Sequence, residues 1–553
     1  MYRCLAVAFV FFLVDSAAFS AAPGPLKGNE VFVRDAAEIA RKIDVQIGKT
    51  LKGSPPRADD SEFLRRAYLD ITGRIPTAAQ TTAFLNSKES DKRAKLIDGL
   101  LASPNYGEQF GRAWRDWIAP AELPSEGNGG NQPILATQNL GKWFAQRFNE
   151  GEGWDVIVRK LLTADGPLKE QPQGLFFSLA GDDTGKPSPA GAARTVATLF
   201  LGMQFQCAEC HNDPFKHYKQ SDYWGLAAFF RNVSWKFNGR YFDFVSEGNI
   251  TAPGGKVGQP AKDSAPSGSI TIPKAALKNA GTMIPGKFPE GASLAAEAGQ
   301  PLRAVLATWI TARENPFFAR AFVNRTWSYF FARGIVHPID DMRDENPPSH
   351  PELLQLLTDE FLASDFDVKH LVKCITNTTA YQRSSRPGKQ DAPNAVAVFA
   401  RMPVKVMSAD ALYDSLRLAF ADPTLDLRNY DPKEAQRFGE SSPVGTAYDE
   451  FAKLFVTNEE DATDFTHGIP QLLALMNHPR LRTGGMTVEE LLKSKPEPKD
   501  AIESLYLATL SRRPTDEELA EATAFAAKRS DAKKAYSAVL WMLVNRSEFM
   551  LVR

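Results

Sequence analysis

The residues with the plainest chemical meaning in this 553-residue chain are Cys207, Cys210 and His211, within Phe205-Gln-Cys-Ala-Glu-Cys-His-Asn-Asp-Pro214. Cys-x-x-Cys-His is the spacing at which two thiols bond to the vinyl groups of haem c while the next imidazole takes the iron. On that reading His211 is the proximal ligand, and a sixth ligand comes from Met203, His217, Met283 or Met342, or is absent. The same residues allow a non-haem metal: thiolates at Cys207 and Cys210 with His211, plus Asp213 or His217, make a tetrahedral zinc set. A third reading binds nothing and makes Cys207 and Cys210 a short disulfide or a thiol pair packing a helix end.

A second concentration of chemistry lies further on. His337, Asp340, Asp341, Asp344, Glu345 and His350 crowd a Pro-rich connection. Paired carboxylates push one pKa up and so serve as acid and base, which makes Asp340, Asp341 and His350 candidates for hydrolysis. Helix capping and loop hydrogen bonds account for the same residues more simply. Cys374 shares an apolar helix face with Leu371, Val372 and Ile375 and reads as a buried small hydrophobe.

The elements that must hold these residues read as helices. Ala192 to Phe205 is apolar on nearly every side, so a buried helix delivers the Cys-x-x-Cys-His turn at its end. Before it, Phe63, Leu64, Ala67, Tyr68 and Ile71 recur at helix spacing, with Gly73 placed for a left-handed stop. Capping boxes are read at Thr77-x-x-Gln80, Ser349-x-x-Glu352 and Thr515-x-x-Glu518, and Ser103-Pro104 opens a helix whose face carries Tyr106, Phe110, Trp114 and Trp117. That aromatic stripe reads as core. Residues 164–189 read as a long loop, Ser221 or Asp222 as the cap of a short helix through Phe230, Asn315-Pro316 as a helix start, and Gly334 as that helix's stop. Val233, Trp235 and Phe237, then Asn238-Gly239, then Phe242 and Phe244 predict a two-residue hairpin pairing Trp235 with Phe242 and Val233 with Phe244.

Whole-chain numbers narrow the field. At 43% hydrophobic and 24% charged the chain is an ordinary folded composition, and a net charge of -1 leaves no global field for nucleic acid. Arg3, the apolar run Cys4 to Val14 and the small residues up to Ala22 predict a signal peptide over residues 1–22, hence export to the periplasm or beyond, and an otherwise soluble chain unless an uncleaved signal anchors it. Three further cysteines in so long a chain do not make a disulfide framework. The fold class expected is mainly α, with two helical domains at residues 31–245 and 301–553. Between them lies a Gly/Pro-rich linker, 246–300, carrying a short strand at Ser269-Ile-Thr-Ile272.

Three stretches, Phe63-Leu-Arg-Arg-Ala-Tyr-Leu-Asp-Ile-Thr-Gly-Arg-Ile-Pro-Thr77, Phe200-Leu-Gly-Met-Gln-Phe-Gln-Cys-Ala-Glu-Cys-His211 and Asp222-Tyr-Trp-Gly-Leu-Ala-Ala-Phe-Phe230, resemble the planctomycete-type cytochrome-like domain of unknown function (DUF fifteen-forty-nine). Asn315-Pro-Phe-Phe-Ala-Arg-Ala-Phe-Val-Asn-Arg-Thr-Trp327, Asp340-Asp-Met-Arg-Asp-Glu-Asn-Pro-Pro-Ser-His-Pro-Glu352 and Asn545-Arg-Ser-Glu-Phe549 resemble its C-terminal partner (DUF fifteen-fifty-three). The resemblance covers nearly the whole mature chain and implies an architecture more than a reaction. The family motif runs Cys-x-x-Cys-His-x-His-Pro, whereas Asp213 precedes Pro214 here. The expectation is an exported protein with a redox or electron-transfer role at Cys207–His211 and a redox partner. The alternatives are a secreted binding or scaffold protein with structural cysteines, whose aromatic residues would suit an extracellular glycan, and a hydrolase built on the acidic turn.

Overall fold

The computed structural model describes residues 35–51, 53–119, 132–180, 188–237, 242–247, 268–274, 276, 278–291, 301–388, 393–423, 425, 451, 455, 469–494 and 496–553. The expected signal peptide, the Asn238-Gly239 turn and most of the 246–300 linker lie outside them.

Mainly α structure follows from the helical periodicity. The first part comprises α1 (Ala36–Gly48), α2 (Asp60–Thr72), α3 (Ala78–Asn86), α4 (Lys92–Ala102), α5 (Pro104–Ile118), α6 (Gln132–Glu150), α7 (Trp154–Leu162), α8 (Phe176–Leu179), α9 (Pro189–Leu201) and α10 (Gln220–Ala227). The second part has α11 (Leu302–Ile310), α12 (Phe318–Phe331), α13 (Pro351–Ala363), α14 (Val368–Thr376) and α15 (Ala409–Ala419), then helices at Ile469–Asn477, Gly485–Ser494, Pro498–Thr509, Asp516–Ala527 and Ala532–Val544. Residues 164–189, read as loop, contain a two-residue strand β1 (Gly166–Pro167), a short 3-10 turn and α8. The loop composition hid pieces too short to show a period.

Around β1 a three-stranded sheet forms in the order β1, β3 (Phe242–Glu247), β2 (Val233–Phe237). The hairpin is present, but its register differs from the expected one. Phe237 pairs with Phe242, Trp235 with Val245 and Val233 with Glu247, with a bulge at Lys236/Phe237. Four residues, 238–241, therefore separate the first pair, where the expected register left two. The expected strand at Ser269 is β4 (Ser269–Thr271), which pairs antiparallel with β5 (Met283–Pro285).

One apolar core runs from Ala36 in α1 to Met402, so helices from both halves bury a common interior. Its centre is aromatic: Trp114 of α5 lies 4.2 Å from Trp154 of α7 and stacks on Phe322 of α12 at 5.9 Å with a 2° interplanar angle. The α5 stripe is core as expected, with Tyr106, Phe110 and Trp114 buried. Helix α6 reaches α5 closely enough that a Cβ on Gly107 would stand 2.3 Å from the Ala145 carbonyl oxygen, and one on Gly111 2.4 Å from that of Gly141. Only glycine permits that crossing.

A second core gathers the C-terminal helices around Leu416, Tyr506 and Leu540, and Leu69 of α2 and Ile75 just after it join that core. Buried charges fasten the two. Arg65 donates to the carbonyls of Thr509 (2.8 Å) and Phe549 (2.6 Å), while Arg66 donates to those of Tyr381, Arg383 and Arg553 and pairs with Glu62 at 2.8 Å. Lys405 meets Asp70 at 2.6 Å, and the Tyr381 hydroxyl donates to the same carboxylate at 2.9 Å. Lys405 also belongs to β6 (Lys405–Val406), which pairs with the terminal strand β7 (Leu551–Val552). The charged residues of the Phe63–Thr77 stretch thus hold the chain's far end. Among the described residues no helix is long and apolar enough to cross a membrane.

Candidate functional site

Helix α9 brings the Cys-x-x-Cys-His turn to the surface of the larger core. Ser188 caps it, Pro189 occupies its first turn, and Val196, Ala197, Phe200 and Leu201 are buried. Gly202 stops the helix with φ 67°, and Met203, fully buried, returns its N–H to the Ala197 carbonyl at 2.9 Å. A 3-10 turn, Gln206–Glu209, then lifts Cys207 into solvent.

The backbone of that turn is gripped while its reactive side chains are not. Gln220, 1% exposed at the start of α10, donates its amide to the carbonyls of Glu209 (3.3 Å), Cys210 (3.0 Å) and Lys278 (3.1 Å), and its own carbonyl accepts from the Asn279 amide at 2.8 Å. Trp224 Nε1 donates to the Glu209 carbonyl at 3.0 Å. The Glu209 carboxylate accepts from Tyr223 at 2.9 Å and pairs with Arg194 at 3.1 Å. Burial, with the Glu209 charge adding, holds the Tyr223 phenol well above its ordinary pKa, so it stays a donor. Helix α10 starts at Gln220 with Lys219 as its N-cap, two positions before Ser221 and three before Asp222, the residues expected to cap it, and Asp222 instead accepts the Lys219 N–H at 2.9 Å.

Cys207 and Cys210 are free thiols, the first exposed and the second half-buried. His211 is half-buried, and its Nδ1 lies 2.8 Å from the Asn212 carbonyl oxygen. A carbonyl only accepts, so Nδ1 carries the proton and Nε2 is left as a lone-pair donor. That tautomer leaves Nε2 able to take a metal.

The other residues of the expected zinc set face elsewhere. Asp213 is 8% exposed, and one carboxylate oxygen accepts from the N–H groups of Phe215 (2.8 Å) and Lys216 (3.1 Å) while its own N–H donates to the Tyr218 carbonyl. It closes a turn. His217 Nε2 pairs with Glu290 at 3.1 Å. No group of three or more His, Cys, Asp or Glu placed to hold a metal occurs among the described residues. Cys207, Cys210 and His211 share one turn, with both thiols unbonded and the imidazole held at Nδ1.

Of the sixth-ligand candidates, Met203 is enclosed in the core, Met342 has its sulfur against Gly202, Met283 lies half-exposed on β5, and His217 is held by Glu290.

The acidic turn docks against this same region, which the sequence spacing of over a hundred residues concealed. The Met342 N–H donates to the Gly202 carbonyl at 3.0 Å, Gln204 donates to Asp340 at 2.8 Å, and Lys216 meets Asp341 at 3.1 Å and Gln204 at 2.6 Å. Asp341 also accepts from Arg343 at 3.0 Å. The carboxylates are engaged as contacts. His350 is turned to another neighbourhood: its Nε2 is 2.8 Å from the hydroxyl of Thr50, just past the end of α1, its Nδ1 3.1 Å from Ser349, and its ring packs on Phe399. Burial lowers its pKa. Asp340, Asp341 and His350 therefore have separate partners. Ser349 also does not cap α13, since its hydroxyl donates to the Ile335 carbonyl and His350 takes the N-cap position with Pro351 following.

Sequence reasoning missed Gln220 and Lys216. A lone glutamine and a lysine carry no motif; only the fold shows what they hold.

These features define a mainly helical protein with a surface Cys-x-x-Cys-His turn framed by segments from both halves. Residues 38–234 match the family model PSCyt2, a protein of unknown function (DUF1549), and residues 302–526 match PSD1, a protein of unknown function (DUF1553). The chain belongs to the proteins that join these two families in that order. No curated protein and no solved structure matches it.

Proposed function

We propose that the protein is exported and that Cys207, Cys210 and His211 hold a covalently attached haem through which it passes electrons. The observation that carries this reading is the pose of the turn: two unbonded thiols beside an imidazole whose Nδ1 is committed to the Asn212 carbonyl. Cys207 and Cys210 would hold the group by thioether bonds, each S–H adding across one vinyl double bond so that nothing leaves. His211 would hold the iron through Nε2, while the Asn212 carbonyl keeps the Nδ1 proton in place, which raises the basicity of Nε2. Gln220 and Trp224 hold the Glu209 and Cys210 carbonyls, so the spacing of the two thiols survives thermal motion. When bound, haem supplies a one-electron couple between ferric and ferrous iron.

The test is a visible spectrum of the mature protein exported from a host that attaches c-type haem, oxidised and dithionite-reduced, beside Cys207→Ala/Cys210→Ala. A reduced Soret and α band that stays with the denatured polypeptide, and is absent from the double variant, is the expected result. A colourless wild type overturns the reading and leaves a binding or scaffold protein with a surface dithiol.

A further inference from the structure

We propose that the cavity between α5, α6 and α15 binds a small dianion, a ligand carrying a phosphate, a sulfate or paired carboxylates, and that Lys142 and Arg417 hold it. The described lining shares no residue with the Cys207–His211 turn, so haem plays no part in it.

The cavity measures about 340 Å³, the size of a small-molecule site. Helix α5 contributes Arg112 and Arg115 to its lining, α6 contributes Lys142, and α15 contributes Asp410, Asp414 and Arg417. Helices α5 and α6 bury their apolar faces in the larger core and α15 buries its own in the second, so the cavity opens at the seam between the cores, a common place for a ligand. Most such sites are apolar with a few polar groups. This one is walled by charges, which makes an ionic ligand the fitting one.

Each carboxylate of the described lining already has an arginine. Asp410, 6% exposed, meets Arg115 at 2.5 Å and Arg112 at 3.5 Å; Asp414 meets Arg112 at 2.8 Å and Arg74 at 3.3 Å; Glu108 meets Arg74 at 2.8 Å. Asp116, beside the cavity, meets Arg115 at 2.5 Å. Arg74, Arg112 and Arg115 thus serve four acids, and Lys142 and Arg417 are left on the lining with no carboxylate partner among the described residues. These two cations carry the described charge past balance, five positive against four negative, and they face one cavity from different helices. Arg417 is also prepared for an acceptor: its Nε is buried with no hydrogen-bond partner, and its guanidinium lies 5.5 Å over the Tyr413 ring, which orients the fork before a ligand arrives. A buried donor left unpaired is costly, and an oxyanion is the acceptor a guanidinium takes best. A dianion reaches the guanidinium and the Lys142 ammonium together, whereas a neutral ligand leaves both charges as they are.

Isothermal titration of sulfate and of oxalate, one tetrahedral and one planar, into the full mature protein at low ionic strength tests this. The expected result is saturable one-site binding of at least one of them, weakened at least tenfold in Lys142→Gln/Arg417→Gln and unchanged in Lys499→Gln/Lys528→Gln, which neutralises two exposed lysines elsewhere. The tighter anion tells whether the ligand's group is tetrahedral like a phosphate or planar like a carboxylate. No saturable binding of either anion overturns the proposal, as does equal binding by wild type and Lys142→Gln/Arg417→Gln, or equal weakening by the control pair. Circular dichroism on each variant confirms folding. Should Arg417→Gln unfold the protein, Lys142→Gln alone still weakens binding a few-fold if the cavity is the site and leaves it unchanged if it is not. Cys207→Ala/Cys210→Ala should bind as the wild type does, whether or not the wild type carries haem; binding lost there would move the anion to that turn and overturn the proposal too.

Discussion

In the turn at Cys207–His211 the backbone is gripped and the reactive side chains are left free, whereas in the acidic turn at 338–350 the side chains themselves are the grip. The two meet through Met342 and Gly202 and through Lys216 and Asp341. In sequence they look alike, each a cluster of groups able to ligate or titrate. In the fold, Asp340 and Asp341 have cationic or amide partners and His350 sits between two hydroxyls, while Cys207, Cys210 and the Nε2 of His211 have none that the structure shows. A group already satisfied by its own chain has little left for a substrate, so the difference separates framework from chemistry.

The comparison breaks first at Asp341. Its side chain is 11% exposed and meets Lys216, 12% exposed, and Arg343. Asp341→Ala leaves a nearly buried ammonium without its carboxylate, and a loss of about 3 kcal/mol in urea unfolding is expected. A loss of activity with stability unchanged would instead make the acidic turn a catalytic site. Next comes Gln220. Gln220→Leu keeps the bulk but takes the side-chain donor from the Cys210 and Lys278 carbonyls, and a loss of about 2 kcal/mol is expected. Haem incorporation or Cys207 alkylation should change with it, since the turn loses its clamp while its reactive atoms remain.

A smaller effect is expected from pH. Burial lowers the pKa of His350, so the unfolded chain takes up a proton there that the folded chain resists. The stability this gives is present above the unfolded value, about 6.5, and is lost as pH falls from there toward the folded value. Melting temperature should therefore drop between about pH 7.5 and 5.5, and His350→Gln should remove that part of the slope. An unchanged slope in the variant would place the titrating group elsewhere.

What could be read in advance follows the range of the interaction. Local caps were legible: Thr77 and Gln80 form the capping box, as do Thr515 and Glu518, and Gly73 stands at φ 64°. Each of those depends on residues three or four apart. Where tertiary contacts compete, the local reading failed. Ser349 donates to Ile335 instead of capping, α12 ends on Ala332 at φ 53° and not on Gly334, and the β2–β3 register slips past the Asn-Gly pair. Gly334 has a different use, since a Cβ there would stand 2.2 Å from the Val336 carbonyl oxygen. Asn315 does open its helix, with its carboxamide oxygen accepting the N–H groups of Phe317 and Phe318. The Cys-x-x-Cys-His turn was legible as a motif because its chemistry is sequential. Its support from Gln220, Lys216 and the acidic turn was not, because those residues are brought in by packing of the larger core.

The smallest effect sharpens the comparison most. Cys207 is exposed, Cys210 is half-buried, and neither is bonded, so neither thiol packs the end of α9 as a structural pair would. In protein without haem, Cys207→Ala/Cys210→Ala should then shift stability by no more than about 0.5 kcal/mol, the range of surface substitutions without special contacts. That near-zero result, set beside the loss expected for Asp341→Ala, is what a chemical site on a structural frame requires. A loss of about 2 kcal/mol or more in the double variant would mean that the two thiols are joined in the native protein, because breaking a disulfide is the mechanism by which exposed cysteines lower stability that far. Repeating the unfolding with reductant separates the cases: a joined pair makes the wild type fall to the level of the variant, and free thiols leave both where they were.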